Sequence, residues 1–469
     1  MLRKLLSQTA VYGISATVAK FLNYLLTPLL TRVLSEDVYG EMSYLYAIIP
    51  FANVLLTMGF STGYFRFAAQ CENQAERKRL FSTLWSSVSL FSLVLCGVIA
   101  ALFPSPATIT MAALILVDNI SSIPLSMLRE QGKALRYTII NITGVVINVV
   151  LCFSFYTYID GASSSAVWVL LANLAASLGS LLLLLPSCIR MFTSKVDFTV
   201  LKRVAKYSYP LMVAGIMGVA SDFIDRQMLR WLLPEDIALS QLGIYSAVAK
   251  IAALMVIFRQ IYTLGAEPFF LQKFSKEDFG RLNAAALKYF TAIGIIIFLA
   301  IMLYSDIFAL ILGSDFREGM TILPLLLFSN LLAGVLVNLS FWYKVADKTK
   351  IAVIVTISGI SISLALNLTL IPLYGYNGAA WARVGATFAM VLLSYLLGQK
   401  YYPVRYDMRS LALYTALGAI IFTLSHYTAL IEPSLARWSI NFVLFAIFCI
   451  IFVKKEGFWG HIKRLIHKS

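Results

Sequence analysis

The chain has 469 residues, 60% of them hydrophobic and only 13% charged, and a formal net charge of +15. Soluble domains carry about 25% charged residues, so this composition cannot cover a water-facing surface and excludes a soluble enzyme, a disordered chain and a nucleic-acid-binding domain. With a mean hydropathy of +0.82 the chain reads as an all-α polytopic membrane protein. Five scattered cysteines (Cys71, Cys96, Cys152, Cys188, Cys449) form no CxxC pair, and His426, His461 and His467 sit near the C-terminus. No metal site and no cofactor are read from them.

A membrane-spanning helix needs about 20 mostly apolar residues. Such runs are predicted at roughly 10–33, 42–65, 81–103, 107–127, 138–158, 165–189, 208–231, 243–265, 287–311, 320–342, 350–371, 378–398, 409–430 and 437–453, about fourteen in all. The first follows Arg3 and Lys4, is too long for a signal-peptide apolar region, and is expected to stay in the membrane. Ser35-Glu36-Asp37 and Pro234-Glu235-Asp236 suit helix starts, where a cap or an N-terminal proline precedes acids that favour the positive dipole end. The tail places Phe458, Trp459, Ile462, Leu465 and Ile466 on one helical face beside Lys463, Arg464, His467 and Lys468, the pattern of an interfacial helix on an anionic leaflet.

Charge sets the expected orientation. With the N-terminus in the cytoplasm, the loops on that side hold 29 of the 38 Lys and Arg and 9 of the 23 Asp and Glu, a net of +20. The opposite loops hold Arg32, Arg230, Arg317 and Arg437 against 10 acids, a net of −6, and the helices carry the remaining +1. The positive-inside bias therefore predicts both termini in the cytoplasm and accounts for the basic balance without nucleic acid.

The chain also repeats itself. "LLTRVLSEDVYGEMSY" (29–44) is echoed by "QMLRWLLPEDIALSQLGIYS" (227–246), and "REQGKALRYTIINITGVVINVVL" (129–151) by "YKVADKTKIAVIVTISGISISLAL" (343–366). An offset of 215 carries Lys133 onto Lys348 and Gly144 onto Gly359, and a similar one carries Trp168 onto Trp381. Six helices thus repeat as six more, and an even number makes the repeats parallel, related by an axis along the membrane normal. The expected organisation is a lobe over 1–200 (helices 1–6), a second over 201–400 (helices 7–12), and helices 13–14 with the basic tail over 401–469.

"AKFLNYLLTPLLTRVLSEDVYG" (19–40), "FIDRQMLRWLL" with "LGIYSAVAKIA" (242–252), and "NLTLIPLYGYNGAAWARVGAT" (367–387) stand in an order and spacing that resembles the polysaccharide-export branch of the multidrug/oligosaccharidyl-lipid/polysaccharide exporter superfamily over about residues 10–400. The resemblance implies a flippase of a bacterial plasma (inner) membrane. It would carry a polyprenyl-diphosphate-linked oligosaccharide from the inner to the outer leaflet by alternating access, for O-antigen, capsule or exopolysaccharide assembly. Its implied partners are the lipid-linked oligosaccharide, membrane lipids, and a polysaccharide polymerase or other assembly proteins.

Ionisable residues inside apolar helices are costly, and each is a functional candidate. They are Lys20, Asp118, Asp222, Asp225, Arg226, Lys250, Arg259 and Arg383. Lys20, Lys250, Arg383 and Arg226 are the candidate cations for a diphosphate, since Arg and Lys in a low-dielectric cleft offer charge-assisted hydrogen bonds. Asp222, Asp225 and Asp118 are the candidates for ion coupling. Asp222 and Arg226 are also spaced to neutralise each other at i,i+4 within one helix. Asn23, Tyr24, Asn53, Asn148, Asn173, Asn330, Asn338 and Asn367 suit sugar recognition, but interhelical hydrogen bonding is the commoner role for any one of them.

A multidrug or small-cation antiporter of the same superfamily is the alternative. It would want a cleft dominated by acids, which Lys20, Lys250 and Arg383 oppose. An enzyme is not expected, because the outer loops are short and carry no His or DxD pair, and no GxxxxGK[ST] loop is present for ATP. The orientation is directly testable. A cytoplasm-active reporter fused after Lys195, Lys276 or Lys468 should give signal, and one fused after Asp160, Glu235 or Gly375 should not; periplasmic activity from the 190–206 segment would overturn the helix count.

Overall fold

The computed structural model describes residues 24, 26–193, 196–270, 276–346, 348, 350–428 and 434–456; the side chains of Ser221, Asp222, Pro268, Lys276, Thr428 and Ser434 are not described. Among the described residues there are fifteen α-helices and no strand. They are α1 (Leu26–Val33), α2 (Glu36–Thr57), α3 (Phe60–Ala68), α4 (Gln74–Leu102), α5 (Pro106–Glu130), α6 (Ala134–Tyr158), α7 (Val167–Met191), α8 (Phe198–Leu232), α9 (Glu235–Phe270), α10 (Lys276–Leu303), α11 (Ser305–Ala309), α12 (Leu323–Val345), α13 (Lys350–Tyr401), α14 (Met408–Thr428) and α15 (Ser434–Lys455). Helices are what a chain in hydrocarbon must form, since no water is present to satisfy backbone N–H and C=O groups.

Among the described residues, eleven candidate spans are long and apolar enough to cross a membrane. Three differences account for the distance from the expected fourteen. The runs at 350–371 and 378–398 are two helices that follow each other without a loop, together designated α13, and they meet at a sharp kink at Gly375, whose φ of 56° is a conformation that favours glycine. The 35-residue α8 is long enough but carries Lys202, Arg203, Lys206, Asp225 and Arg226. The run at 10–33 lies largely outside the described residues.

The run at 42–65 is also not one helix. It breaks between α2 and α3 at Met58 (φ 49°) and Gly59 (φ 68°). The break is satisfied locally: Met58 N–H donates to the Leu55 carbonyl (3.3 Å), and the N–H groups of Thr62 and Gly63 return to the Gly59 carbonyl (3.1 and 3.2 Å). The caps follow the sequence signals. Ser35 Oγ accepts from Val38 N–H at the start of α2, and Asn73 and Ser105 cap α4 and α5 in the same way.

The chain divides into two compact units, Met1–Ser246 with Gly313–Phe316, and Ala247–Leu312 with Arg317–Ser469. This packing boundary falls inside α9, because α8 packs along α2 and α3. Phe51 stacks on Phe223 at 4.6 Å there. In the rest of the first unit α5 lies against α4 and α7, and α7 against α6. Its core at one end comprises Tyr64, Phe81, Leu84, Ile123, Leu128 and Leu184. In the second unit α12 packs on α13, and α10 is flanked by α12, α14 and α15. Phe270, Phe279, Phe341 and Trp342 form its core near the 402–406 turn.

The last two helices, which stand outside the duplication, are fastened to α10 by a charge cluster. Lys288 Nζ lies 2.6 Å from Glu456 Oε2 and 3.9 Å from Asp407 Oδ2. Tyr414 donates its hydroxyl to Glu456 Oε1 at 2.6 Å. Burial opposes ionisation of Glu456, but the hydrogen bonds from Lys288, Tyr414 and Tyr289 outweigh it and hold the carboxyl below its ordinary 4.5. A depressed folded-state value contributes stability above the unfolded-state value, and that contribution is lost as the pH falls through the folded one. With Lys288 18% and Glu456 5% exposed, Glu456→Gln or Lys288→Met alone should lower the stability of the detergent-solubilised protein by about 3 kcal/mol. The paired replacement Lys288→Met with Glu456→Leu should recover most of it. Thermal melting of the three variants at neutral pH checks this, and a double-variant loss equal to the sum of the two single losses would mean the two groups are not coupled.

Candidate functional site

The candidate residues of the first unit fall into two groups. In the first, α8 and the start of α9 run side by side. Asp225, 1% exposed, accepts a hydrogen bond from the Tyr245 hydroxyl at 3.2 Å. Arg226, half-buried, donates through Nε to Ser246 Oγ at 3.3 Å. Adjacent residues of α8 are therefore held by adjacent residues of α9, so both side chains are oriented from outside their own helix. Asp222 lies one turn earlier on α8, and its side chain is not described.

Beside this pair the first turns of α2 and α9 cross at glycine. A Cβ on Gly40 would overlap the Leu239 carbonyl, and one on Gly243 would overlap the Glu36 carbonyl. Ser240 Oγ is hydrogen-bonded to Glu36 across the crossing. Gly313 N–H donates to Thr31 Oγ1 at 3.0 Å, and Tyr39 meets Phe316 edge to face at 5.2 Å. The glycines let two backbones approach where any side chain would hold them apart. The crossing holds the N-terminal parts of α2 and α9 in backbone contact.

The second group surrounds Asp118 on α5. Ser177 of α7 donates to Asp118 Oδ1 at 2.7 Å, and Asn53 of α2 also hydrogen-bonds to it. Asn119 Nδ2 donates to Asn53 Oδ1 (3.1 Å) and the Ile115 carbonyl (2.7 Å), and Asn173 donates to the Tyr46 hydroxyl at 3.0 Å. The buried Asn119 Oδ1 and Tyr156 hydroxyl have no hydrogen-bond partner. Asp118 is thus the one described carboxylate in a hydrogen-bonded network of hydroxyls and amides on α2, α5 and α7.

Of the remaining candidates, Lys250 on α9 is exposed, and Arg259 on α9 and Arg383 on α13 are half-buried. All three belong to the second unit. Lys20 lies outside the described residues. The structure thus brings Asp225 and Arg226 together and places Asp118 in a separate network. Asn53 and Asn173 make interhelical hydrogen bonds, the commoner of the two roles expected, and Asn338 donates to Tyr262 at 2.5 Å. Tyr245, Ser246 and Ser177 were not singled out from sequence. Uncharged hydroxyls carry no cost that marks them in an apolar run. Among the described residues no group of three or more His, Cys, Asp or Glu could hold a metal ion.

The family model described as polysaccharide biosynthesis protein matches residues 5–266. A Haemophilus influenzae protein of the Lsg locus is 24% identical over 389 residues, covering 80% of this chain and 94% of its own. The fold is that of the lipid II flippase MurJ in an inward closed conformation, with a TM-score of 0.71 at 17% identity, covering 95% of this chain and 99% of that one. It is also that of a multidrug resistance MATE family transporter of the MOP superfamily in an inward-facing conformation, with a TM-score of 0.62 at 14% identity, covering 84% and 95%.

The glycine crossing generates a test. Gly243→Ala places a methyl where the Glu36 carbonyl stands, and should loosen this contact. In a cysteine-free background, labelling of a cysteine introduced at Ser240 by a membrane-impermeant thiol reagent should then rise several-fold. An unchanged labelling rate would show that the crossing does not close this end.

Proposed function

Because this multi-pass membrane chain belongs to the polysaccharide biosynthesis protein family, we propose that it flips a polyprenyl-diphosphate-linked oligosaccharide from the inner to the outer leaflet of a bacterial plasma membrane by alternating access. The observation that carries the reading is the family match over residues 5–266. Cationic side chains in the apolar helices support it: Arg226, Lys250, Arg259 and Arg383 stand on α8, α9 and α13. A diphosphate is a compact polyanion, and cations in a low-dielectric setting bind it through charge-assisted hydrogen bonds. Lys250, Arg383, Arg226 and Lys20 are assigned to the diphosphate. A cationic drug would be repelled by the same groups, although drug exporters share the fold.

Asp118, Asp225 and Asp222 are assigned to ion coupling. Asp118 suits it best, because its network holds hydroxyls and amides but no described cation to keep it permanently paired. A carboxylate so placed can exchange a proton or a monovalent cation without leaving a strong ion pair behind.

The test is surface polysaccharide in a flippase-null strain complemented with each variant, membrane abundance being checked in parallel. Lys20→Glu or Lys250→Glu should abolish export and Lys→Arg should largely preserve it, because the first sets an anion against phosphate. Asp118→Asn should lower export at least tenfold and remove its dependence on the ion gradient. Full export by both Glu variants would remove the lysines from the site. Export of small cationic dyes without polysaccharide would favour the drug-exporter reading.

A further inference from the structure

Four helices of the first unit carry a column of polar side chains that leads to Asp118. Tyr156 stands two residues before the end of α6, and its buried hydroxyl has no hydrogen-bond partner. Asn173 of α7 and Tyr46 of α2 follow, joined by the bond from Asn173 Nδ2 to the Tyr46 hydroxyl oxygen at 3.0 Å. Tyr46 lies within electrostatic reach of Tyr156, Cys152 and Asp118. Asp118 itself receives Ser177 Oγ at 2.7 Å, and the buried Asn119 Oδ1 next to it in sequence is a second atom without a partner. The starts of α2, α5 and α7 share one end of the unit, where Leu45, Ala107 and Val167 belong to one core, and the short 159–166 segment brings the end of α6 there too. At 1.5 Å per helical residue, Tyr156, Asn173, Tyr46 and Asp118 lie about 3, 9, 15 and 18 Å from that end.

The second repeat shows that helix packing does not require these groups. The offset of 215 carries Asp118 onto Ala333 and Tyr156 onto Ile371, and the offset that carries Trp168 onto Trp381 carries Asn173 onto Ala386 and Ser177 onto Met390. All four positions are apolar there. Buried polar groups are costly in apolar helices, so the column of the first unit calls for a use beyond the fold. Its chemistry suits a proton. A hydroxyl takes a proton on its oxygen and releases its own hydrogen, and Asn173 fills a lone pair of Tyr46 while leaving that hydrogen to another acceptor. Unpartnered buried atoms such as the Tyr156 hydroxyl and Asn119 Oδ1 are where internal water binds. Ser177 and Asn53 turn hydrogens, not lone pairs, toward Asp118, which disfavours a metal cation. Among the described residues the titratable groups facing the column are Asp118, Tyr46, Tyr156 and Cys152.

We propose that Tyr156, Tyr46 and the water they hold carry a proton from the outer face to Asp118, with Asn173 as the positioning residue for Tyr46. This rests on the assignment of Asp118 to ion coupling and narrows the ion to a proton. The charge count reads the end that bears Asp160 as the outer one, the side from which a coupling proton would enter. The step balances. Water at the outer end gives a proton to the Tyr156 oxygen, each hydroxyl passes its own hydrogen inward through the intervening water, and the Asp118 carboxylate ends as a neutral carboxylic acid. One positive charge has moved inward, and both tyrosines remain neutral.

The experiment uses the full chain in membrane vesicles adsorbed on a solid-supported membrane, with the Asp160 side facing the bath, and records the charge that moves after a step in bath pH. The parent chain should give a transient inward charge after an acid step and none after a sodium step at fixed pH. Tyr156→Phe and Tyr46→Phe keep the rings and should slow the transient by about tenfold or more while leaving the total charge within about twofold, because Asp118 still takes the proton. Asn173→Leu should slow it as well, and Asn173→Gln, which keeps an N–H, should recover part of the rate. Tyr158→Phe, at an exposed position of the same helix, should change neither. Asp118→Asn should remove the charge. Unchanged rates in both Phe variants, with the charge lost in Asp118→Asn, would overturn the route and leave the coupling role of Asp118 standing. A charge that survives Asp118→Asn would overturn both, as would a parent that responds to neither step. A transient driven by sodium and not by pH would overturn the proton and leave Asp118 as a metal-cation site.

Discussion

Hydrocarbon offers no partner for a backbone N–H or C=O, and the rest of this structure depends on that constraint. It makes every described span helical, and it requires each interruption to be satisfied nearby. The turn at Met58 and Gly59 closes its own hydrogen bonds to Leu55 and from Thr62 and Gly63. Hydroxyls obey the same rule: Thr57, Thr110 and Thr291 each donate to the carbonyl four residues earlier. Prolines at 50, 124, 186 and 210 stand inside helices, as neighbouring helices in a membrane allow.

The same scarcity of partners governs charge. Asp225 and Arg226 are held by Tyr245 and Ser246, and Asp118 by Ser177 and Asn53. Full ion pairs also appear, as between Lys344 and Glu267 near helix ends and between Lys288 within α10 and Glu456 just past α15. Hydroxyls and amides are thus among the partners of charges deep in the helices. The ion pairs lock helices together.

Duplication produced matched positions that the two repeats use differently. Gly40 and Gly243 follow the matching Glu-Asp starts, and they meet each other backbone to backbone. Arg129 and Lys344 keep a cation at the end of matching helices, yet one meets a ring and the other a carboxylate. The first case joins two copies of one motif at a single crossing. In the second, the matched cations meet different kinds of partner, a ring in one repeat and a carboxylate in the other.

Membrane class, most helix positions, the repeat and the identity of the ionisable candidates were legible in the chain, because all of them are written in apolar length, charge count and spacing. The glycine crossing was not. Glycine has no side chain to contribute to a periodic pattern, and only the approach of another backbone shows why its absence matters. Nor could spacing tell that the two halves of α13 would meet at a single kinked residue, Gly375, since a run broken by Tyr-Gly-Tyr-Asn-Gly reads equally as a longer loop. The i,i+4 spacing of Asp222 and Arg226 names a local pair, and spacing along one helix gives no sign that Arg226 also donates to Ser246, twenty residues away on the next helix. Sequence determines which groups must find partners in a medium that supplies none. Which partner each one finds depends on distances between helices, and those exist only once the helices have packed.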